Sequence, residues 1–166
     1  MLVVGIDPGT ATTGYGLVRE NPDGSLNVVD YGVILTAAGD PMPQRLLELH
    51  TRLDEILALH RPEAGSVEKL FFQTNVKTAI TVGQARGVAL LSLAKTGIPI
   101  TEYTPLEIKQ SVVGYGGADK NQVQQMVRAL LGMQDIPRPD DAADALAVAI
   151  CHIHNARMRA VYEQNP

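Results

Sequence analysis

The sequence predicts an α/β fold, in which a mixed sheet of about five strands is flanked by helices. Three observations lead to this prediction. Residues 2–35 contain three strand-like segments separated by short turns, the apolar residues then change to helical spacing, and strand-like and helical segments alternate over residues 43–113. A meander followed by strand–helix–strand crossovers gives a sheet with both antiparallel and parallel pairs.

The first three strands form the meander. Residues 2–7 read "LVVGID", an apolar run without alternation that is typical of a central strand. The turn signals "DPGT" and "NPDG" follow at residues 7–10 and 21–24. They delimit a second strand over 12–19 and a third over 26–35, joined as antiparallel hairpins.

The remaining elements alternate between helix and strand. Leucine and isoleucine recur at helical spacing over 43–60, and "RP" at residues 61–62 ends that helix. The elements expected next are a strand over 64–72, a helix over 75–96, a strand over 98–103, a short helix over 105–113, a helix from 120 to 130 capped by Asp119, and a last helix over 140–157. We expect residues 1–157 to form one domain and residues 158–166 a flexible tail.

Composition narrows the class of protein. The chain has 166 residues, no apolar run of the length of a membrane span and no pattern of a secretory signal at its start. A single cysteine, Cys151, cannot form an internal disulfide, so we expect a cytoplasmic protein. The net charge of −4 argues weakly against general binding of polyanions, but it does not describe how the charges are distributed.

Acidic residues occur in three of the predicted elements where these could meet. Asp7 ends the first strand, Glu68 lies within the fourth, and Asp141 and Asp144 lie three residues apart at the start of the last helix. Alanines at positions 142, 143, 145 and 147 leave this helix slim, so that it can approach the sheet closely. Three separate elements could therefore direct four carboxylates toward one point.

Each acid also has a purely structural interpretation. An Asp before Pro-Gly is often a turn residue, and Glu68 could be an exposed strand residue. Asp140, Asp141 and Asp144 could serve the N-terminus of a helix, where acids are favourable, and periodicity leaves open which of the first two would face the sheet. These interpretations suffice for any one acid but explain the set of four poorly, because clustered carboxylates repel one another and raise one another's pKa.

A cluster of carboxylates becomes stable when it binds cations. Hard divalent ions such as Mg²⁺ or Mn²⁺, two per site, fit oxygen ligands best. Such a site suits phosphodiester hydrolysis, in which one ion lowers the pKa of the attacking water and the other stabilises the leaving oxygen. Asp7, held at the end of a central strand, is the candidate for a carboxylate that bridges ions about 3.5–4 Å apart.

Five segments of the chain, in this order, resemble the RuvC family of crossover (Holliday) junction endodeoxyribonucleases. They are "GIDPGTATTGYG", "SVEKLFF", "GQARGVALL", "IKQSVVGYGGADKNQVQQMVRALLG" and "DDAADALAVAICH". The resemblance implies a ribonuclease H-like fold and a homodimer that makes paired nicks in four-way DNA junctions with Mg²⁺ or Mn²⁺. It implies that Asp7, Glu68, Asp141 and Asp144 are the catalytic, metal-binding acids, and so selects Asp141 over Asp140.

The resemblance also suggests DNA contacts. Residues 77–128 carry six cations and three anions, a net charge of +3 in a chain of −4, so the rest carries −7. Lys109 and Lys120 match basic positions of the family that would bind phosphates, and Phe71 matches an aromatic that would stack on an unpaired base. Without the resemblance, a solvated lysine and a core phenylalanine are the default interpretations. The glycine-rich loop 114–117 could shift on contact with DNA.

A twofold axis would let two active sites cut the two equivalent strands of a junction. Gly83 and Gly87 form a smooth strip on the helix over 75–96; packing onto the sheet explains them as well, and the resemblance favours a dimer interface. It further implies branch-migration partners of the RuvA and RuvB type, in recombination and repair. His152 follows Asp141 on a similar helix face, and a core or surface histidine is the simpler interpretation.

Three other functions remain open at this point. The Asp-x-Gly-Thr hairpin also resembles the phosphate-binding loop of actin-like ATPases and sugar kinases, which need two lobes and a longer chain. A junction-binding module without catalysis would gain nothing from clustered acids. A general ribonuclease H-like nuclease would prefer linear duplex or RNA–DNA hybrid to junctions.

Overall fold

The structure is a computed structural model and describes residues 1–69 and 76–164. Over these residues the elements are β1 (Leu2–Asp7), β2 (Thr12–Glu20), β3 (Leu26–Leu35), α1 (Met42–His60), β4 (Ala64–Glu68), α2 (Val76–Thr96), β5 (Ile100–Tyr103), α3 (Pro105–Val113), α4 (Lys120–Leu130) and α5 (Asp140–Gln164). The order of strands and helices is the one that the sequence predicts.

The strands form one sheet in the order β3-β2-β1-β4-β5. β1 pairs antiparallel with β2 and β2 with β3, whereas β4 pairs parallel with both β1 and β5. The predicted mixed sheet of five strands flanked by helices is thus confirmed. β1 is central, which explains its unbroken apolar run, since both faces of this strand are covered.

The alternation of β1 decides which side chains face which helices. Val3 packs in the core beneath α5, whereas Val4 and Ile6 pack in the core beneath α1 and α2. Because successive side chains point to opposite faces, Gly5 and Asp7 share the face of Val3. Asp7 therefore leaves the end of β1 on the α5 face of the sheet.

Glycines let α5 lie directly on this face. Gly5 pairs with Gly16 and Asp7 with Gly14 across β1 and β2. A Cβ atom at Gly5 would lie 2.1 Å from the Ala145 carbonyl oxygen, and one at Gly14 would lie 2.0 Å from that of Asp141. Real Cβ atoms do not approach so closely, so the backbone of α5 can take this position only over glycine.

On the opposite face, side chains rather than backbone fill the space between sheet and helices. Leu49, Leu53 and Leu57 of α1 and Leu93 of α2 pack there against the sheet. The outer side of α2 carries Ile80 and Leu91, which are 59% and 56% exposed.

The two glycines of α2 lie on that outer side. A Cβ atom at Gly83 or Gly87 would meet no other described part of the chain within 4 Å. The alternative that these glycines serve packing onto the sheet is therefore wrong. They leave a smooth, exposed strip between Ile80 and Leu91.

The boundaries of β2 and α1 differ from the predicted ones by one residue, and larger differences occur at β4, β5 and α5. β4 ends at Glu68, and residues 70–72 of the predicted strand lie outside the described residues, as does residue 75 of the predicted helix. β5 begins at Ile100 rather than at residue 98, because Pro99 has no N–H for the ladder. α5 continues through Gln164, because no Gly or Pro interrupts it.

The longer α5 makes most of the expected tail helical. Its last turns, from Met158 to Glu163, have largely exposed side chains. The flexibility of 158–166 stays a prediction, as does the single domain over 1–157. Within residues 1–69 and 76–164, no helix has the length and apolar character needed to cross a membrane.

Candidate active site

Asp7 and Glu68 meet at one edge of the sheet because β1 and β4 are parallel neighbours. Ile6 pairs with Val67, so Asp7 and Glu68 are the next residues of their strands. Burial raises the pKa of Asp7 to about 8, and the charges of Glu68, Asp144 and Asp141 add to this shift. The contact between the Asp7 and Glu68 carboxyl groups also raises the pKa of Asp7, and burial is the main cause that raises the pKa of Glu68.

α5 brings the other two acids to the same edge. Its first turn lies over Gly14, the residue that pairs with Asp7. Burial raises the pKa of Asp144, and the charge of Asp141 acts on both Asp144 and Asp7. The structure thus places Glu68, Asp141 and Asp144 within electrostatic reach of Asp7, from the three elements that the sequence indicated.

Asp140 belongs to a different set of contacts. The Arg138 guanidinium lies 2.5 Å from one of its oxygens, and the Lys120 ammonium lies 3.4 Å from the other. The nearby Gln124 side-chain amide, followed by Lys120 and Arg138, lowers the pKa of Asp140. Arg138 and Lys120 therefore compensate Asp140, although its charge also acts on Asp144. The charge of Asp141 acts on Asp7 as well, and the selection of Asp141 stays a prediction.

Two predicted DNA-binding lysines line a cavity with two of the acids. This cavity of about 270 Å³ is lined by Glu68, Pro105, Ile108, Lys109, Lys120, Val123, Asp144, Ala147 and Val148. The Lys120 Nζ lies 3.0 Å from an Asp144 oxygen, and the charge of Lys109 acts to lower the pKa of Glu68. Carboxylates and ammonium groups thus line the same cavity, so a phosphate that enters it could contact the lysines beside the acids.

Lys120 is the first residue of α4, as the predicted cap requires. The Asp119 carboxylate accepts a hydrogen bond of 2.8 Å from the Gln122 backbone N–H, and the Gln122 side chain accepts one of 2.9 Å from that of Asp119. This capping box holds the backbone of Lys120 without using its side chain.

The chemistry of the four acids fits hard divalent ions, since all four supply carboxylate oxygens. In the described part of the chain, however, no three Asp, Glu, His or Cys side chains are arranged to hold an ion as they stand. The proton on Asp7 and the ammonium of Lys120 instead compensate the negative charge. Metal binding therefore requires both to be displaced.

Hydrogen bonds fix the turn that follows Asp7. The Thr13 hydroxyl donates to the Gly9 carbonyl at 2.6 Å, and the Thr36 hydroxyl donates to the Thr10 carbonyl at 2.6 Å. Arg45 Nε in turn donates to the Thr36 hydroxyl at 2.9 Å. The end of β1 is thus held in place on its solvent side.

The sequence patterns did not identify the sheet residues that support the acids, which are a buried serine and three glycines. The buried Ser66 hydroxyl lies 3.2 Å from the Val4 carbonyl oxygen and 3.3 Å from that of Val148, so it can link β4 to β1 or α5. A serine in an otherwise apolar strand signals this contact. Likewise, glycines at positions 5, 14 and 16 within strands signal the close approach of another backbone.

The two remaining candidate residues are Phe71 and His152. Phe71 lies outside the described residues, so its role in base stacking stays a prediction. His152 is buried, and its Nδ1 lies 3.1 Å from the Tyr103 hydroxyl. Burial lowers the pKa of His152, which agrees with the interpretation as a core histidine.

Comparison with known proteins gives matches over nearly the whole chain. The family model "Crossover junction endodeoxyribonuclease RuvC" matches residues 3–152. A protein of that description from Chloroflexus aurantiacus is 60% identical over 156 residues, which make up 94% of each chain. The structure of RuvC from Thermus thermophilus is similar with a TM-score of 0.90 and 38% identity, covering 96% of this chain and 97% of that one.

A second solved structure includes DNA. It is T. thermophilus RuvC in complex with a Holliday junction substrate, with a TM-score of 0.87 and 36% identity. The likeness covers 95% of this chain and 96% of that one.

Proposed function

The chain belongs to the RuvC family of crossover junction endodeoxyribonucleases, and from this premise we propose that it resolves four-way (Holliday) DNA junctions by paired, symmetric nicks. Its ribonuclease H-like fold is the one that the resemblance implied. The observation that carries the proposal is the convergence of four carboxylates from β1, β4 and α5 beside two lysines. A relative with 36% identity binds a junction substrate.

We assign the nicking reaction to metal-dependent hydrolysis of a phosphodiester. Asp7, at the end of the central strand, would hold two Mg²⁺ or Mn²⁺ ions together with Glu68, Asp141 and Asp144. Bound ions of this kind supply an activated water and stabilise the leaving oxygen. The acids fix where this chemistry occurs, and the buried cores beneath them keep the carboxylates from relaxing into solvent.

The lysines act on the substrate. Lys109 and Lys120 would contact phosphates of the junction as these enter the cavity beside Glu68 and Asp144. Phe71, which follows Glu68 by three residues, would stack on an unpaired base near the crossover. Loop 114–117 adjoins α4 and could adjust to the DNA.

A homodimer would present two such sites to the two equivalent strands. The strip of α2 between Ile80 and Leu91 supports this proposal, because its glycines allow a second helix to approach closely and its apolar side chains are exposed. We place the protein in the cytoplasm, in recombination and repair, with branch-migration partners of the RuvA and RuvB type.

The direct test is to incubate the protein with a labelled synthetic four-way junction and to map the cuts. We expect paired nicks at symmetric positions with Mg²⁺ or Mn²⁺ and none with a chelator. Preferential cutting of linear duplex or RNA–DNA hybrid would replace the proposal with a general nuclease. ATP turnover without cutting would replace it with an actin-like ATPase.

A matched pair of variants tests which acid of α5 takes part. Asp141→Asn should lower the nicking rate at least about tenfold more than Asp140→Asn, because only Asp141 acts on the charge of Asp7. Equal losses in the two variants would contradict the assignment of Asp141. Junction binding is measured alongside to separate catalysis from affinity.

The lysines are tested through salt dependence. Lys120→Ala should weaken junction binding and reduce the slope of log K against log salt by about 1, the value for one lost phosphate contact. An unchanged slope would remove Lys120 from the phosphate contacts.

A further inference from the structure

Lys120 lies across two acids that differ in their surroundings. Its Nζ is 3.0 Å from an oxygen of Asp144 and 3.4 Å from an oxygen of Asp140. Asp140 has Arg138 as a second cation at 2.5 Å. Among the described ion pairs, Asp144 has only that with Lys120, so this ammonium is the group that compensates the charge of a proposed metal ligand.

A divalent ion and the ammonium of Lys120 compete for the same carboxylate. Two cations on one carboxylate repel each other, and this repulsion is stronger in a partly buried site than in water. The arrangement of the described acids, which does not hold an ion as it stands, agrees with such competition.

The side chain of Lys120 is free to move while its backbone is not. The side chain is 53% exposed and lies at the cavity that also contains Lys109. The capping box made by Asp119 and Gln122 holds the helix start through other groups. The ammonium can therefore leave Asp144 without unfolding any part of α4.

We propose that Lys120 is an exchangeable counter-ion of Asp144, which a divalent metal must displace and which a junction phosphate draws away. In the DNA-free protein the ammonium weakens metal binding at Asp144. When DNA enters the cavity, the phosphate takes the ammonium and leaves Asp144 to the metal. Junction and metal then bind with positive coupling, so the complete metal site forms on the substrate. This inference rests on the proposed metal role of the four acids.

The ion pair between Lys120 and Asp144 is also compatible with a role that favours metal binding. Lys120 could hold the Asp144 side chain in the orientation that a metal needs, and its removal would then weaken metal binding. The two roles predict changes of opposite sign in the affinity of the DNA-free protein, so the measurement distinguishes them without any nicking assay.

The first measurement is calorimetric titration of Mn²⁺ into the full-length, DNA-free protein at fixed pH and ionic strength. We expect Lys120→Met to bind Mn²⁺ about two- to fivefold more tightly than wild type, the range for losing one exposed ion pair. Lys120→Arg keeps the cation and should bind as weakly as wild type. Lys109→Met removes a charge that forms no ion pair among the described residues and should have a smaller effect than Lys120→Met. Unchanged or weaker binding by Lys120→Met, or an equal gain in Lys109→Met, would overturn the proposal.

The second measurement is the coupling between junction and metal. The junction affinity is compared with and without Ca²⁺, under conditions where a gel shows the DNA to remain intact. Coupling is reciprocal, so the factor by which Ca²⁺ tightens junction binding equals the factor by which the junction tightens Ca²⁺ binding. We expect this factor to be about two- to fivefold smaller in Lys120→Met, and an equal factor in both proteins would contradict the exchange.

The two proposals fail in different ways. If Lys120→Met binds Mn²⁺ more tightly but the wild-type protein cuts no junction, the counter-ion exchange is supported. The proposed function is then contradicted. Symmetric nicking by a protein in which Lys120→Met binds Mn²⁺ no more tightly would remove the exchange alone.

Discussion

The two faces of the sheet are built in different ways. On one face, the backbone of α5 rests on Gly5, Gly14 and Gly16, with no side chain of the sheet between them. On the other face, α1 and α2 are separated from the sheet by a layer of leucines. The comparison teaches that backbone contact places the acids of α5 closely over Asp7, whereas a side-chain layer suffices where helices only cover the core.

The two faces also differ in the charged groups that surround a partly buried aspartate. Burial and neighbouring acids raise the pKa of Asp7 to about 8. On the face of α1 and α2, burial also acts on Asp54, but its hydrogen bond from Lys95 at 2.5 Å and the nearby His50 lower its pKa. Asp54 is thus paired with bases, whereas Asp7 has other acids as its neighbours.

The largest expected effect is on nicking by Asp7→Asn. We expect this variant to lose about a thousandfold or more in nicking rate while it keeps junction binding, because it removes a carboxylate from the site of charge stabilisation. Asp54→Asn is the control from the other face and should nick as wild type does. Comparable nicking by the two variants would remove the distinction between the faces.

The next effect concerns the glycines under α5. Gly14→Ala should lower the free energy of unfolding by about 1–3 kcal/mol or more, because its Cβ would push the first turn of α5 away from the sheet. Nicking should fall further than stability explains, since Asp141 and Asp144 move with that turn. Chemical denaturation and nicking rates are measured together, and a variant as stable and active as wild type would show that α5 does not need this contact.

The third comparison concerns the pH dependence of stability. The raised pKa of Asp7, about 8, keeps its proton bound in the folded protein, whereas the unfolded chain releases it near the ordinary pKa of 3.8. Its contribution to stability is therefore complete below that value and is lost as the pH rises toward 8. With a chelator present, Asp7→Asn should gain about 5 kcal/mol over wild type between pH 4 and pH 8.

Thermal or urea unfolding at the two pH values checks this difference. A constant difference between the variants would show that Asp7 ionises normally in the folded protein. The same proton must leave when a metal binds, so Mn²⁺ affinity should rise with pH up to about 8.

The smallest effect is expected at the glycines of α2. Gly83→Ala and Gly87→Ala should each stabilise the monomer by about 0.5–1 kcal/mol, because a Cβ there meets none of the described residues and alanine favours the helix. If α2 forms the dimer interface, the same variants weaken association, which sedimentation measures. Unchanged association in both variants would argue against an interface along this strip.

Local patterns in the sequence predicted most of the strands and helices. The turn signals "DPGT" and "NPDG", the unbroken run of β1 and the helical spacing of α1 depend on neighbours in the chain, and the elements that they predicted are present. The boundaries were less accurate where one residue decides them, as at Pro99, or where no residue ends a helix, as in α5.

The support of the site depends on residues far apart in the chain. Gly14 matters because the Asp141 carbonyl lies above it, more than 120 residues later, and no local pattern names that partner. Similarly, Lys120 was predicted as a phosphate contact, and its ion pair with Asp144 follows only from the packing of α4 beside α5. The acids themselves were identified from their element positions and from the family motifs.

The most direct test of the central claim maps which parts of the chain surround a bound metal. Fe²⁺ is bound to the full-length protein in place of Mg²⁺, and ascorbate with peroxide then generates hydroxyl radicals that cut the polypeptide near the ion. We predict cuts around residue 7, around residue 68 and at 141–144 together, all suppressed by excess Mg²⁺. Cuts at only one of these segments, or cuts that Mg²⁺ does not suppress, would contradict a metal site shared by β1, β4 and α5.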